Sequence, residues 1–234
     1  MSVEKYKDFF DQHTYGGQDP IPFYGRKPKS RYMSVKYVLD HFRRTNGKVI
    51  AELGTIRSFV HGGLAGCNSN DSRYWTPNNP ENWDWGAGCF SRVAVEELKD
   101  MDVSFHTVDI AQDHINRCKV ITSEYSDRIL YHVCSSQDFL RSYQGKLDLI
   151  YLDTGDMTPI EPTANLQLEE AQIIVEKDLL ASNGLILVDD VRNTTPIRAG
   201  ETSLLGKAKY SIPYLLQKGF KILIDEYQIV LGRE

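Results

Sequence analysis

Three carboxylates stand at the ends of two apolar runs: "LDLIYLD" closes on Asp153, and "GLILVDD" closes on Asp189 and Asp190. If the runs are neighbouring buried strands, the three acids meet at one sheet edge, where like charges repel and raise one another's pKa. Something positive is required there. Three hard oxygen ligands suit Mg²⁺ or Mn²⁺, which keeps several waters and completes its shell with substrate oxygens. Solvated strand-end acids are the alternative for the Asp189-Asp190 pair, weakened by the presence of Asp153.

Other strand ends carry polar groups of a different kind. In "VIAELGTIRS" a strand stops at Glu52 and Gly54, and a glycine there lets the backbone approach a ligand closely. A nicotinamide fingerprint would continue G-x-G-x-x-G, but Thr55, Ile56 and Arg57 follow instead, which argues against a dehydrogenase. The run "VSFHTVD" ends on Asp109, placed to accept the ribose hydroxyls of a nucleoside or, more plainly, to serve as the acid at a helix N-terminus. In "CSSQDFL", Ser136 and Gln137 can hydrogen-bond an adenine edge, although Ser and Asp also cap helices.

The elements that must position these groups alternate along the chain. Short β-branched runs ("KVIAEL", "VSFHTVD", "RILYHV", "LDLIYLD", "GLILVDD") are separated by helical patterns near 111–125, 137–143, 165–181 and 203–217. That alternation predicts an α/β fold with a doubly wound, mostly parallel sheet. The tail "FKILIDEYQIVLGR" reads as two strands joined at Asp225-Glu226, closing one edge antiparallel and making seven strands in all. Residues 1–45 read as an N-terminal cap with a helix from Met33 to Arg44, and residues 46–234 as the ligand-binding domain. The segment 67–88 holds all three tryptophans and almost no aliphatic residue, so it reads as an insertion outside the core, either a lid over the nucleoside pocket or a structural loop packed on the surface with no ligand. It also explains why Glu52 and Asp109 lie much further apart than the roughly twenty residues usual between a glycine turn and a ribose acid. The helix after the first strand starts either near Ser58 or at "FSRVAVEEL".

Composition sets outer limits. The chain has 234 residues, 41% of them hydrophobic, and 27 Lys+Arg against 32 Asp+Glu give a net charge of −5, which disfavours nucleic acid and anionic membranes as partners. The longest apolar runs are strand-sized and "MSVEKYKDFF" lacks a signal-peptide pattern, so a cytoplasmic location is expected. Cys67, Cys89, Cys118 and Cys134 have no C-x-x-C spacing and read as free thiols. A homo-oligomer is compatible with all of this.

Taken together, "ELGT", "VDIAQD", "SSQD", "YLDTGD" and "LVDDV" resemble the class I S-adenosylmethionine-dependent methyltransferases, and among them the metal-dependent O-methyltransferases of the catechol and macrocin (sugar) types, over Val49 to Val191. The resemblance implies that Glu52, Gly54 and Thr55, with Ser58 just beyond, lie near the methionine part of S-adenosylmethionine. It further implies that Asp109 binds the ribose, that Ser136 and Gln137 flank the adenine, and that Asp153, Asp189 and Asp190 ligate Mg²⁺ or Mn²⁺. Catechol-type relatives carry a lysine three residues after the first metal aspartate. Here Asp156 stands there, closer to sugar-modifying relatives, and would act as general base beside Asp153, as a further ligand, or only as a turn residue. The expected acceptor is then a hydroxyl of a vicinal diol on a sugar or natural product. The rivals are an NAD-dependent dehydrogenase, a non-catalytic nucleoside binder, and a nucleic-acid methyltransferase, the last lacking both a basic surface and an Asn-Pro-Pro-Tyr-like motif.

Overall fold

The computed structural model describes residues 3–11, 30–60, 71–84, 89–156, 159–191 and 206–233. The expected lid contacts at 67–70 and 85–88, the start of the last helix at 203–205, and the aromatics Phe23 and Tyr24 lie outside these.

Seven strands form one sheet: β1 (Val49–Leu53), β2 (Ser104–Asp109), β3 (Ile129–Val133), β4 (Leu147–Leu152), β5 (Leu180–Val188), β6 (Lys221–Asp225) and β7 (Ile229–Gly232), in the order β3-β2-β1-β4-β5-β7-β6. The first five run parallel, and β7 is antiparallel to both β5 and β6, so the expected antiparallel closure lies at this edge with β6 outermost. Strand order reverses between β1 and β4, the place where open α/β sheets bind ligands. Register aligns Leu53 with Val108 on one side and Leu152 on the other, and Leu152 with Val188. One residue further on, Asp109, Gly54, Asp153 and Asp189 therefore stand in a row along the carboxyl edge.

The helices are α1 (Lys7–Asp11), α2 (Arg31–Arg44), α3 (Phe90–Glu97), α4 (Gln112–Ile121), α5 (Ser136–Ser142), α6 (Ile160–Glu176) and α7 (Ser211–Gln217). Helix α2 buries Val35, Val38, Leu39 and Phe42 at helical spacing. It starts at Arg31, two residues before the expected Met33, because Ser30 caps it by accepting from Tyr32 N at 3.2 Å. After β1 the first α-helix is "FSRVAVEE", the later of the two expected starts. The helix expected over 165–181 begins at Ile160 and ends at Glu176. Asp178 turns left-handed at φ 51°, and the apolar residues after it open β5 instead of a further helical turn.

The tryptophan-rich insertion departs most from expectation. Trp83 is fully buried, sits 5.5 Å from the rings of Tyr6 and Phe9, stacks on Trp75 at 5.8 Å, and donates from Nε1 to Thr76 O at 2.8 Å. An antiparallel bridge ties it to Val60. Trp83 thus pins the segment to the core beneath the N-terminal helices, while the rest of residues 71–84 stays exposed or half-buried, outside the core as expected. One aromatic with a local partner for its N–H replaces the missing aliphatics.

Candidate functional site

The three aspartates do come together. Asp189 is sealed at 0% exposure, while the side chains of Asp153 and Asp190 keep 19% and 20%, so these two face the cleft. Arg31, at the N-terminus of α2, reaches Asp189 with both arms of its guanidinium, Nε to Oδ1 at 3.3 Å and a terminal nitrogen to Oδ2 at 2.9 Å. It also lies 3.8 Å from Asp190. Lys207, itself buried, places Nζ 2.8 Å from Asp153 Oδ1, 2.8 Å from Asp190 Oδ2 and 3.2 Å from Gly155 O. Tyr151 donates to Asp189, and Tyr227 donates to Asp190 at 2.5 Å. A line of hydrogen bonds fixes this frame, with Ser34 Oγ donating to Gln228 Oε1 at 2.6 Å and Gln228 Nε2 to Tyr151 Oη at 3.1 Å. Asp190 holds a left-handed backbone at φ 54°, uncommon outside glycine, which turns its carboxylate back towards Lys207.

The charges settle unequally. Burial pushes Asp153 up to about 7 despite the pull of Lys207. For Asp190 burial acts the same way, but Lys207 and Arg31 outweigh it and hold the carboxyl below the ordinary aspartate range. Burial works against the charge of Lys207, and Asp153 and Asp190 overcome it to hold the ammonium above the usual lysine value.

The positive charge that sequence demanded is supplied by the chain itself, and the expectation of Mg²⁺ or Mn²⁺ on Asp153, Asp189 and Asp190 does not fit this arrangement. Oxygens that would ligate a metal are directed at Nζ of Lys207 and at the guanidinium of Arg31. Nζ of Lys207, 2.8 Å from both Asp153 and Asp190, occupies the space between these carboxylates that an ion shared by them would need. No group of three or more metal-ligating side chains is arranged to hold an ion among the described residues.

At the β1–β2 half of the edge, Gly54 adopts φ 84° and donates to Val108 O at 2.8 Å. A Cβ there would stand 2.5 Å from Asp153 O, so only glycine lets these turns abut. Thr55 N donates to Asp109 Oδ2 at 3.1 Å, Ala111 N donates to Asp109 Oδ1 at 2.8 Å, and His114 Nδ1 lies 3.1 Å from Oδ2. Asp109 thus braces its own turn, as the plainer alternative had it, yet a carboxylate has about four acceptor positions and room remains for a ribose hydroxyl. Beside it Ile110 is 76% exposed, an apolar surface at the end of β2 that the sequence "VDIAQD" carried unremarked.

Glu52 is spent differently from expectation. Its Oε2 accepts from Ser91, Thr107 and Thr55 hydroxyls, the last at 3.1 Å, and burial pushes it up to about 7 against those bonds. It holds α3, β2 and the glycine turn together. Ser58 donates to Asp84 of the insertion. Ser136 donates to Glu170 of α6, and Gln137 Nε2 reaches Glu169 at 3.2 Å, so both side chains turn onto α6. Thr154 Oγ1 completes the Glu170 pair at 3.0 Å, and burial pushes Glu170 up to about 7. Asp156 is exposed and pairs with Arg57 at 2.6 Å, outside the aspartate cluster. Arg31 and Lys207 were missed in sequence, since a basic residue in a polar segment carries no pattern that marks it as buried.

A doubly wound sheet with a glycine turn at its switch point and an acid ending the second strand defines a Rossmann-like nucleotide-binding architecture. No family model matches the sequence, and no curated protein matches it significantly. Solved structures narrow the class. A Podospora anserina methyltransferase bound to S-adenosylhomocysteine superimposes with TM-score 0.54 at 15% identity, over 87% of this chain and 79% of that one. A Staphylococcus aureus protein assigned as a caffeoyl-CoA O-methyltransferase gives TM-score 0.54 at 14% identity, over 99% and 91%. A Klebsiella pneumoniae protein assigned as an O-methyltransferase gives 0.52 at 14%, over 85% and 78%. The chain has the fold of the class I methyltransferases. No helix among the described residues is long and apolar enough to cross a membrane.

Proposed function

We propose that this protein transfers a methyl group from S-adenosylmethionine to a hydroxyl oxygen of a small-molecule acceptor, with vicinal diols of sugars or natural products as the acceptor class. The carrying observation is that the Gly54 turn, beside Asp109, abuts the backbone of Asp153 at the switch point of a methyltransferase fold. A strand-end acid suited to a ribose and an acid of raised pKa thereby stand on one sheet edge.

S-adenosylmethionine, when bound, supplies a methyl group on a sulfonium leaving group. Asp109 would accept from the ribose hydroxyls, and the backbone at Gly54 would give the methionine end room to approach. Asp153, pushed up to about 7, is suited to take the acceptor's proton as the new carbon–oxygen bond forms. Asp156 is the weaker candidate for this role because it is exposed and lies outside the aspartate cluster. Divalent-metal assistance is not carried into the proposal, since Arg31 and Lys207 already neutralise the acids.

Calorimetric titration with S-adenosylhomocysteine and with NAD tests the cofactor. Binding of the first only, weakened at least tenfold by Asp109→Ala, supports the reading, and selective binding of NAD refutes it. Turnover on a panel of diols then separates an enzyme from a nucleoside binder, and Asp153→Asn should lower kcat by about a hundredfold or more, as expected for loss of a general base.

A further inference from the structure

The environment of Lys207 is that of a cation site. An ammonium has three N–H donors, and all three are matched: two carboxylates from different strand ends and the Gly155 carbonyl. Two carboxylates and a carbonyl are also what a hard divalent ion recruits. The side chain is 2% exposed, so this charge has been removed from water to stand among these oxygens. Burying an ammonium is costly unless it is fully paired, and here every donor has an acceptor. Counting Asp153, Asp189 and Asp190 as charged against Arg31 and Lys207 leaves one negative charge. Without Lys207 two remain uncompensated, around an emptied position that three oxygens already surround.

We infer that Lys207 is a tethered cation standing where a divalent ion would otherwise be held, so that the aspartate cluster is metal-independent and becomes a metal site only when the ammonium is removed. The inference concerns this chain's own residues and holds whether or not the methyl-transfer reading does. It predicts an inverted mutational response, in which deleting a basic residue creates affinity for a cation.

The test uses the full-length protein and Mn²⁺ alone, followed by loss of the free-ion electron paramagnetic resonance signal, with neither S-adenosylmethionine nor acceptor present. Wild type should leave the Mn²⁺ signal unchanged. Lys207→Met, shown to be folded by circular dichroism, should bind one Mn²⁺ at least about tenfold more tightly than wild type, and adding Asp190→Asn should abolish that gain. Lys207→Gln, which keeps a donor for one aspartate, should show the same gain more weakly and serves if the methionine variant does not fold. Stoichiometric Mn²⁺ binding by wild type that is lost in Asp190→Asn would overturn the inference. So would folded Lys207 variants with no more affinity than wild type. Where diol methylation is found, its rate should be unchanged by excess chelator, and a chelator-abolished rate restored by Mn²⁺ would also overturn it.

Discussion

Two halves of one sheet edge bury acids by opposite means. At the β4–β5 half, Asp189 and Asp190 are met by the full charges of Arg31 and Lys207. At the β1–β2 half, Glu52 is equally buried but met only by the hydroxyls of Ser91, Thr107 and Thr55. Hydroxyl dipoles cannot offset the loss of water around a full charge, so Glu52 is pushed up to about 7, whereas Asp190 is held below its ordinary value by the two cations. Asp153, which shares Lys207 with Asp190, is nonetheless pushed up to about 7 by burial, so a buried carboxyl becomes a fixed charge only where its cations outweigh the loss of water.

The strongest way to break this contrast is to remove a cation. Arg31→Met should cost about 3–5 kcal/mol in urea unfolding, because it leaves the Asp189 carboxyl sealed from water without its partner cation. The double variant Arg31→Met with Asp189→Asn should recover part of that loss. A cost below about 1 kcal/mol for the single change would mean that the pair is not what holds Asp189.

Next in size is the aromatic anchor beside the hydroxyl-lined half. Trp83→Ala should cost about 3 kcal/mol, near the low end for a fully buried tryptophan because part of its surroundings is surface chain that can collapse into the gap. An unchanged melting temperature would return the insertion to the status of an overlying flap.

Glu52 gives a pH signature. Its folded pKa, about 7, exceeds the ordinary value of 4.5, so the native state holds the extra proton and the stability it confers is present at low pH and is lost as pH rises from 4.5 through 7. Glu52→Gln removes this dependence. The variant should therefore gain on wild type by about 2 kcal/mol between pH 5 and pH 8 in paired denaturation curves. No change in that difference would place Glu52 in a wetter or better-paired setting. Smallest of all, Asp156→Asn, which breaks only the exposed pair with Arg57, should change stability by less than about 1 kcal/mol. A larger loss would give that pair a place in the edge's framework.

Much of this was legible from residue pattern. Period and turn residues revealed the strands because buried parallel strands are continuous apolar runs, and the acids ending them could be placed in one row without knowing any contact. The need for positive charge among Asp153, Asp189 and Asp190 was legible too, but not its source. Arg31 and Lys207 lie in polar stretches, and only the tertiary fold reveals that they turn inward. Trp83 misled for the converse reason: a polar, turn-rich neighbourhood normally lies outside the core, yet one large ring with an internal partner for its N–H suffices to bury it. Ser136 and Gln137 were expected at an adenine edge, but their side chains answer to Glu170 and Glu169, acids on a helix distant in sequence.

The pairing of Arg31 with Asp189 joins positions 158 residues apart. As the chain leaves the ribosome, the N-terminal guanidinium waits while five strands are synthesised before its carboxylate emerges, and the Lys207 ammonium follows later still. Contacts of such separation carry a high loop-closure cost and tend to slow folding. The cluster should consequently be among the last parts to consolidate, so that a folding intermediate can possess the β1–β2 half of the sheet edge before the acidic half exists.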